Sequence, residues 1–348
     1  MTSPDRRAKA SVRRAIEFPW KARRRGKRFV NLCTDYVPKL RDVIRWKLGL
    51  GPRERTSSHL GEGHPLETVA PDFIGMHRRS PDDIAATWFG HSTFLLQTGG
   101  CNFLTDPIFS SHCAPIPLKR FERKNPVRLL LRDLPRIDAV LISHNHYDHL
   151  DRETLRALGS DVPIVCPVGV ARLLKRWGFA NVRELSWGES TGIGGVQIAS
   201  FPTQHGSARS LFDRNQSLWC GWLVRHGGRA TAFLGDTGYA PYFRELGDYF
   251  GPIDLALIPI GAYRPSWFMK PLHLDPAEAV RVHQDLRAGT SIAMHWGTFS
   301  LSDEPLDEPP RLLRDTLEAM HIAAEAFRIP RLNETIAIRS GRSFIRAR

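Results

Sequence analysis

One nine-residue run has the composition of a metal site: S143-H-N-H-Y-D-H-L-D151. His144 and His146 are two apart, so an extended backbone points both rings to one side. Asp148 and His149 add a carboxylate and a third imidazole from the next turn. Four ligand-type side chains in six residues make poor packing material, because desolvating them is costly without a partner. A metal ion is the natural partner. The competing reading is a His-rich surface turn, and the spacing argues against it. Further ligands must come from elsewhere, and three stand after short apolar segments. They are His205 beyond Val196–Pro202, Asp236 in L-G-D-T-G and His295 in M-H-W-G-T. Any one alone would read as a hydrogen-bonded structural residue. Added to the H-x-H-x-D-H run, they complete a set large enough for two metals.

These side chains need elements to aim them. Ile137–Ser143 reads as a buried strand ending at His144. Ala86–Thr98 and Asn102–Asp106 read as two strands joined at Gly99-Gly100. Pro163–Cys166 is a further strand, followed by a helix over Val168–Trp177. Val196–Pro202, Ser217–Val224, Thr231–Gly235, Leu255–Gly261 and Ser291–His295 continue the strand pattern. Helices are expected over Pro276–Leu286 and Pro310–Ala326; Asp275, Pro276 and Glu278 make a good start for the first. Each candidate ligand then sits at the C-terminal edge of a strand, where a loop-borne site belongs in a layered α/β fold.

With these residues in order, the chain resembles the metallo-β-lactamase superfamily of binuclear metallohydrolases. The closer resemblance is to the branch of N-acylphosphatidylethanolamine-hydrolysing phospholipase D. It is carried by W88-F-G-H-S-T93, L104-T-D-P-I-F109, the H-N-H-Y-D-H run, and Q204-H-G-S-A-R209 continuing through D213-R-N215 to L218-W-C-G-W222. It also rests on G235-D-T-G-Y239, W267-F-M-K270 with H273-L-D-P276, and M294-H-W-G-T-F299. Together these cover about residues 86–300. The resemblance implies a four-layer αββα sandwich. It implies that His144, His146 and His205 hold one zinc, that Asp148, His149 and His295 hold a second, and that Asp236 bridges them. Asp106 would steady the ligand loop from behind. Imidazole-rich, thiolate-free ligation suits two Zn²⁺, and Mn²⁺ or Fe²⁺ would also be accommodated.

The implied reaction is hydrolysis of a phospholipid phosphodiester with phospholipase D regiochemistry. A metal pair lowers the pKa of water from about 15.7 towards 7, so a bridging hydroxide can attack phosphorus at neutral pH. Asp148 and Asp236 would serve the reaction as ligands. His273 is the candidate proton donor, with a helix-cap role as its rival. Arg264, Trp267 and Lys270 form a cation–aromatic stretch suited to a phosphate on an acyl chain; a buried loop with two surface cations is the plainer reading. Arg209 and His91 are further pocket candidates, although a strand brace is the favoured reading of His91. Two positions depart from the branch pattern. Leu272 stands where the mammalian enzymes carry a polar residue, and Gly206 where many relatives carry a bulkier one, often Trp. Both should border the substrate, so the preference for an acylated ethanolamine does not carry over.

The chain of 348 residues has a net charge of +13, concentrated at one end. Residues 1–56 hold 17 Lys+Arg against 5 Asp+Glu, and the remainder holds 32 against 31. The expected organisation is a basic, partly helical extension over 1–56, a linker or wrap over 57–83 and a hydrolase domain over 84–348. Arg23-Arg24-Arg25 suggest that the extension begins disordered. Val37, Leu40, Ile44 and Leu48 then recur at helical spacing until Gly49, Gly51 and Pro52. A near-neutral body makes a nucleic-acid partner unlikely, whereas the basic extension suits either an anionic membrane surface or a helix packed on the body with solvated charges. No apolar run is long enough for a bilayer span or a signal peptide, and five scattered cysteines read as reduced thiols, so a cytoplasmic protein, peripheral at a membrane, is expected. The rival functions are a lactonase of the same fold, a nuclease, and a membrane-associated metal protein without turnover.

Overall fold

The computed structural model describes residues 18–52, 66–125 and 129–339. Two seven-stranded sheets share one core. The first runs Thr335–Ile338, Ile84–Trp88, Phe94–Thr98, Cys101–Thr105, Ala139–Leu141, Ile164–Pro167 and Val182–Leu185 in spatial order. The second runs Phe327–Arg328, Ala288–Met294, Ile253–Pro259, Arg229–Phe233, Gly221–His226, Val196–Phe201 and Ser190–Ile193.

Strand alternation sorts the side chains into layers. Phe94, Leu96, Phe103, Ala139 and Leu141 pack in one cluster with Ile198, Trp222 and Val224 of the second sheet. Their neighbours Leu95, Leu104, Val140 and Ile142 point the other way, onto Leu155 and Leu174 of helices Arg152–Leu158 and Ala171–Arg176. Helices Tyr242–Phe250, Pro276–Asp285 and Glu308–Ala319 pack on the second sheet. The result is the αββα sandwich the sequence implies. Both sheets contain parallel pairs: Cys101–Thr105, Ala139–Leu141 and Ile164–Pro167 in one, Arg229–Phe233, Ile253–Pro259 and Ala288–Met294 in the other. Parallel pairing gathers C-terminal strand ends at one edge, and the candidate ligands follow those ends.

Several sequence expectations are revised. Ala86–Thr98 is two strands, not one, because the chain reverses between Trp88 and Phe94 with Gly90 and His91 at positive φ. The second expected helix ends at Ala319, where His321 takes positive φ, and begins two residues earlier, at Glu308. Helix Pro276–Asp285 starts as expected: the Asp275 carboxylate accepts from Glu278 N at 2.9 Å, and the Glu278 carboxylate accepts from Asp275 N at 3.2 Å. All five cysteines are free, four of them buried.

The basic segment differs most. Arg23–Arg25 is not disordered but pairs with Arg28–Val30 in a hairpin. Phe29 inserts into the core at 3% exposure, and its N–H donates to Asn215 O at 2.7 Å. A helix over Leu40–Lys47 follows, with Trp46 Nε1 donating to Asp303 at 2.7 Å and its ring against Phe268. The hairpin carries charge outward and one aromatic inward, a pattern that a charge count does not register. Of the expected wrap, 66–83 lies along the body, where Val69 N donates to Leu332 O and Met76 is buried; 57–65 lies outside the described residues.

Phe29→Ala should therefore destabilise the whole protein by about 3 kcal/mol, a typical cost for emptying a buried phenylalanine site. The urea midpoint should fall, and cleavage by protease within 18–52 should rise. An unchanged midpoint would mean that the segment is not part of the folded body.

Candidate metal centre

Each cluster residue hangs from a strand end. Asp106 follows Cys101–Thr105, His144 follows Ala139–Leu141, His205 follows Val196–Phe201, Asp236 follows Arg229–Phe233 and His295 follows Ala288–Met294. Backbone strain gathers here. His91 (φ 51), Asp106 (φ 33) and His295 (φ 58) are three of eight described non-glycine residues with positive φ. Such conformations cost about 1–3 kcal/mol and persist only where the surroundings over-determine them. His91 O accepts from His295 N at 3.0 Å and from Trp88 Nε1 at 2.9 Å, tying two of these turns together. Gly235 sits at φ +60, where a Cβ would lie 2.5 Å from Ser143 Cβ. Glycine there lets the Asp236 loop close on the His144 loop.

Hydrogen bonds fix how the imidazoles face inward. Asp106 accepts from Ser143 N at 2.7 Å, from the Ser143 hydroxyl and from His149 Nδ1 at 2.7 Å. Because the Ser143 proton is committed to Asp106, Ser143 Oγ accepts from His144 Nδ1 at 2.9 Å. His205 Nδ1 donates to Leu272 O at 3.0 Å. His144 and His205, held neutral by burial, thus turn unprotonated Nε2 atoms to the centre. His146 Nδ1 lies 2.9 Å from His144 Nε2 and 3.2 Å from His205 Nε2. Three ring nitrogens converge with at most one proton among them. Tetrahedral zinc with Zn–N of about 2.0–2.1 Å requires ligand nitrogens about 3.3 Å apart.

A second group lies alongside. Asp148 Oδ2 is 3.3 Å from His149 Nε2, 3.6 Å from His295 Nε2 and 2.9 Å from His91 Nε2. Asp236 reaches both groups: Oδ2 is 3.3 Å from His149 Nε2, 3.6 Å from His205 Nε2 and 4.0 Å from His144 Nε2, while Oδ1 is 3.1 Å from His295 Nε2. Asp236 Oδ1, His149 Nε2, His295 Nε2 and His273 Nδ1 are buried without a hydrogen bond. Burial opposes charge on His149 and His295. Nearby Asp236 and Asp148 outweigh it, holding His149 well above the usual imidazole range and His295 at about 9. His91, by contrast, is depressed to about 3 by burial and by His295. His144, His146, His205 and His273 are likewise pushed down by burial. Bare ring nitrogens, orphaned ligand atoms and two low-pKa carboxylates fit a pair of divalent cations well.

The expected substrate residues part company. His273 faces the cluster, its Nδ1 3.9 Å from Asp236 Oδ2, while Asp275 takes the helix-capping role. His91 braces Asp148 and does not line the cavity beside the cluster. Arg209 donates to the carbonyls of Asn145 (3.1 Å) and Leu150 (2.8 Å) and lies over Tyr147, so it buttresses the ligand loop. Arg264 pairs with Glu308 at 3.0 Å, and Lys270 with Asp275 and Glu278 at 2.7 and 3.3 Å. Trp267 lies beneath the N-terminal segment, against Gly51 and Arg45. In each case the partner satisfies the side chain that the sequence offers to substrate.

A cavity of about 230 Å³ opens beside His146, His205 and His273 instead. Val37, Val43, Phe268, Met269 and Leu272 make its apolar wall, and Gly206 also lines it, where a Cβ would lie 3.1 Å from Asn215 Oδ1. Arg214 also lines it, with no ion-pair partner among the described residues. Sequence reasoning passed over Arg214, although it lies in the quoted D213-R-N215 stretch. It also passed over Asn31, whose amide donates to His205 O at 2.8 Å and accepts from His205 N at 3.1 Å. No local signal marks Asn31, since the two residues are 174 apart.

Comparison with known proteins agrees with this geometry. Residues 101–296 match the family model for the β-lactamase superfamily domain. N-acyl-phosphatidylethanolamine-hydrolyzing phospholipase D 1 of Caenorhabditis elegans is 38% identical over 286 residues, 76% of this chain and 80% of the relative. The mitochondrial protein of that name from Saccharomyces cerevisiae is 39% identical over 256 residues, 71% of this chain and 54% of the relative. Among solved structures, isothiocyanate hydrolase from Delia radicum gut bacteria superposes with a TM-score of 0.60 at 23% identity, covering 74% of this chain and 99% of that one.

The Asp106 network makes a prediction about affinity. Asp106→Ala should weaken zinc binding roughly 10- to 100-fold, the usual cost of losing such an orienting partner. Competition with a chromophoric chelator would measure it; wild-type affinity in a folded variant would show that the network does not set the ligands.

Proposed function

The chain belongs to the metallo-β-lactamase superfamily, in the N-acylphosphatidylethanolamine-hydrolysing phospholipase D-like branch, and on that footing we propose that it is a two-zinc phosphodiesterase that cleaves a phospholipid and releases the head-group alcohol. The observation that carries the reading is a convergence of bare imidazole nitrogens and carboxylates beside an apolar cavity lined by Arg214, which has no ion-pair partner among the described residues. His144, His146 and His205 would hold one ion, Asp148, His149 and His295 the other, and Asp236 would lie between. When bound, such a pair supplies positive charge for a phosphoryl oxygen and acidifies water at neutral pH.

The protein's own residues do the rest. Arg214 offers a guanidinium to a non-bridging phosphate oxygen. His273 stands between Asp236 and the cavity, where a departing alkoxide needs a proton. Val37, Val43, Met269 and Leu272 shield an acyl chain from water. Tyr36, whose hydroxyl donates to Phe268 O at 3.2 Å, holds the N-terminal wall against the body.

That wall also suits a membrane. Ile44, Leu48 and Leu50 are exposed beside Arg41, Arg45 and Lys47, and no described helix is long and apolar enough to cross a bilayer. Apolar insertion with cationic flanks favours peripheral binding at an anionic leaflet. A lactone or a nucleic acid would use the same ions, but a neutral lactone would not need Arg214.

Elemental analysis of purified protein should find close to two transition-metal ions per chain, and Asp236→Asn or His146→Ala should lower metal content and abolish hydrolysis. Products identified by mass from lipid phosphodiesters, lactones and oligonucleotides should show turnover of the first class. Arg214→Gln should raise KM for the lipid roughly tenfold, the cost of one hydrogen bond to a charged group, with metal content unchanged. Equal turnover of a lactone by wild type and Arg214→Gln, with no lipid cleavage, would replace this reading.

A further inference from the structure

The loop from Ser207 to Gln216 separates the metal-side cavity from a second, larger hollow of about 1170 Å³. No candidate ligand lines that hollow. Arg152, Arg172, Arg176 and Arg209 do, with Tyr147 and Trp177. Arg209 is committed to loop carbonyls. The other three have no carboxylate within ion-pairing distance among the described residues, although Asp151, Glu153 and Asp213 share the lining. Asp151 is already engaged by Ser110 and Thr154, and Asp213 by the N–H groups of Arg209 and Ser210. Arg152 lies over the Trp177 ring, and its buried Nε has no hydrogen-bond partner, which in a folded protein calls for one. Arg172 and Arg176 are four apart on one helix, so both guanidinium groups reach the same face.

The rim supplies a second observation. Leu211 and Phe212, at the tip of the dividing loop, are 81% and 83% exposed. Across the hollow, the segment bearing Pro115 and Pro117 exposes Ile116 at 61% and Leu118 at 49%. Large apolar side chains held in water beside a cationic hollow match the interface of a phospholipid leaflet, with acyl chains below and phosphates above.

We propose that this hollow binds the phosphate group of an anionic phospholipid, at a site separate from the metal cluster. The arginines recognise the phosphate, and the two apolar tips enter the leaflet around it. The inference does not depend on the reaction proposed above, because its readout is binding.

Full-length, metal-loaded protein should be floated with vesicles of phosphatidylcholine alone and of phosphatidylcholine with phosphatidic acid. Wild type should partition to the second and not the first. Arg172→Gln with Arg176→Gln should lower that partitioning roughly tenfold or more, as expected for two lost cations at an anionic surface. Leu211→Ser with Phe212→Ser should lower it as well. Both pairs lie on the surface, and unchanged metal content would show that the fold is intact. Equal binding to the two vesicle types, or wild-type binding by the double-arginine variant, would overturn the proposal. So would soluble glycerol phosphate displacing the protein from vesicles at low concentration, because the ligand would then be a free phosphate monoester and not a lipid.

Discussion

Everything in this molecule bears on one electrostatic problem: seven ligand-type side chains from four loops aim nitrogen and carboxylate oxygen at one buried space. Three ring nitrogens of His144, His146 and His205 crowd together because their outward atoms are held by Ser143, Leu272 and the surrounding packing. Such an arrangement is unstable without positive charge at its centre. The carboxylates of Asp236 and Asp148 raise the pKa values of neighbouring His149 and His295. Divalent cations supply the charge, because each neutralises several ligands at once. The sandwich exists to keep that geometry, and its strained turns at His91, Asp106 and His295 are held by the hydrogen bonds that link them.

The same constraint explains the wider architecture. Two sheets with parallel segments bring C-terminal strand ends to one edge, so ligands far apart in the chain need only short loops to meet. Asp106 braces both ends of one of those loops, at Ser143 and at His149. The N-terminal segment closes the assembly: Asn31 clamps the His205 backbone, and Tyr36 and Val43 finish the cavity wall. A basic extension by charge count is therefore a structural wall of the site by contact.

How much of this was legible follows from where the signals lie. His144, His146, Asp148 and His149 announce themselves because four polar ligands in six residues have no packing use. His205, Asp236 and His295 were readable from their places after apolar strands. Arg264 and Lys270 misled because a cation beside aromatics looks available until its carboxylates are known. Glu308, the partner of Arg264, is 44 residues away. The reversal at Gly90-His91 was hidden inside an apolar run that alternates like a single strand. Asn31 and Phe29 were invisible for a general reason: their partners lie more than 170 residues on, and a sequence shows composition locally but contact only through the fold.

The central claim is a pair of metal ions in this cluster, and anomalous X-ray scattering from crystals of the metal-loaded protein tests it most directly. Two peaks are expected, one among His144, His146 and His205 and one among Asp148, His149 and His295, with the Asp236 carboxylate between them. A single peak, or none in protein that was never exposed to chelator, would contradict it.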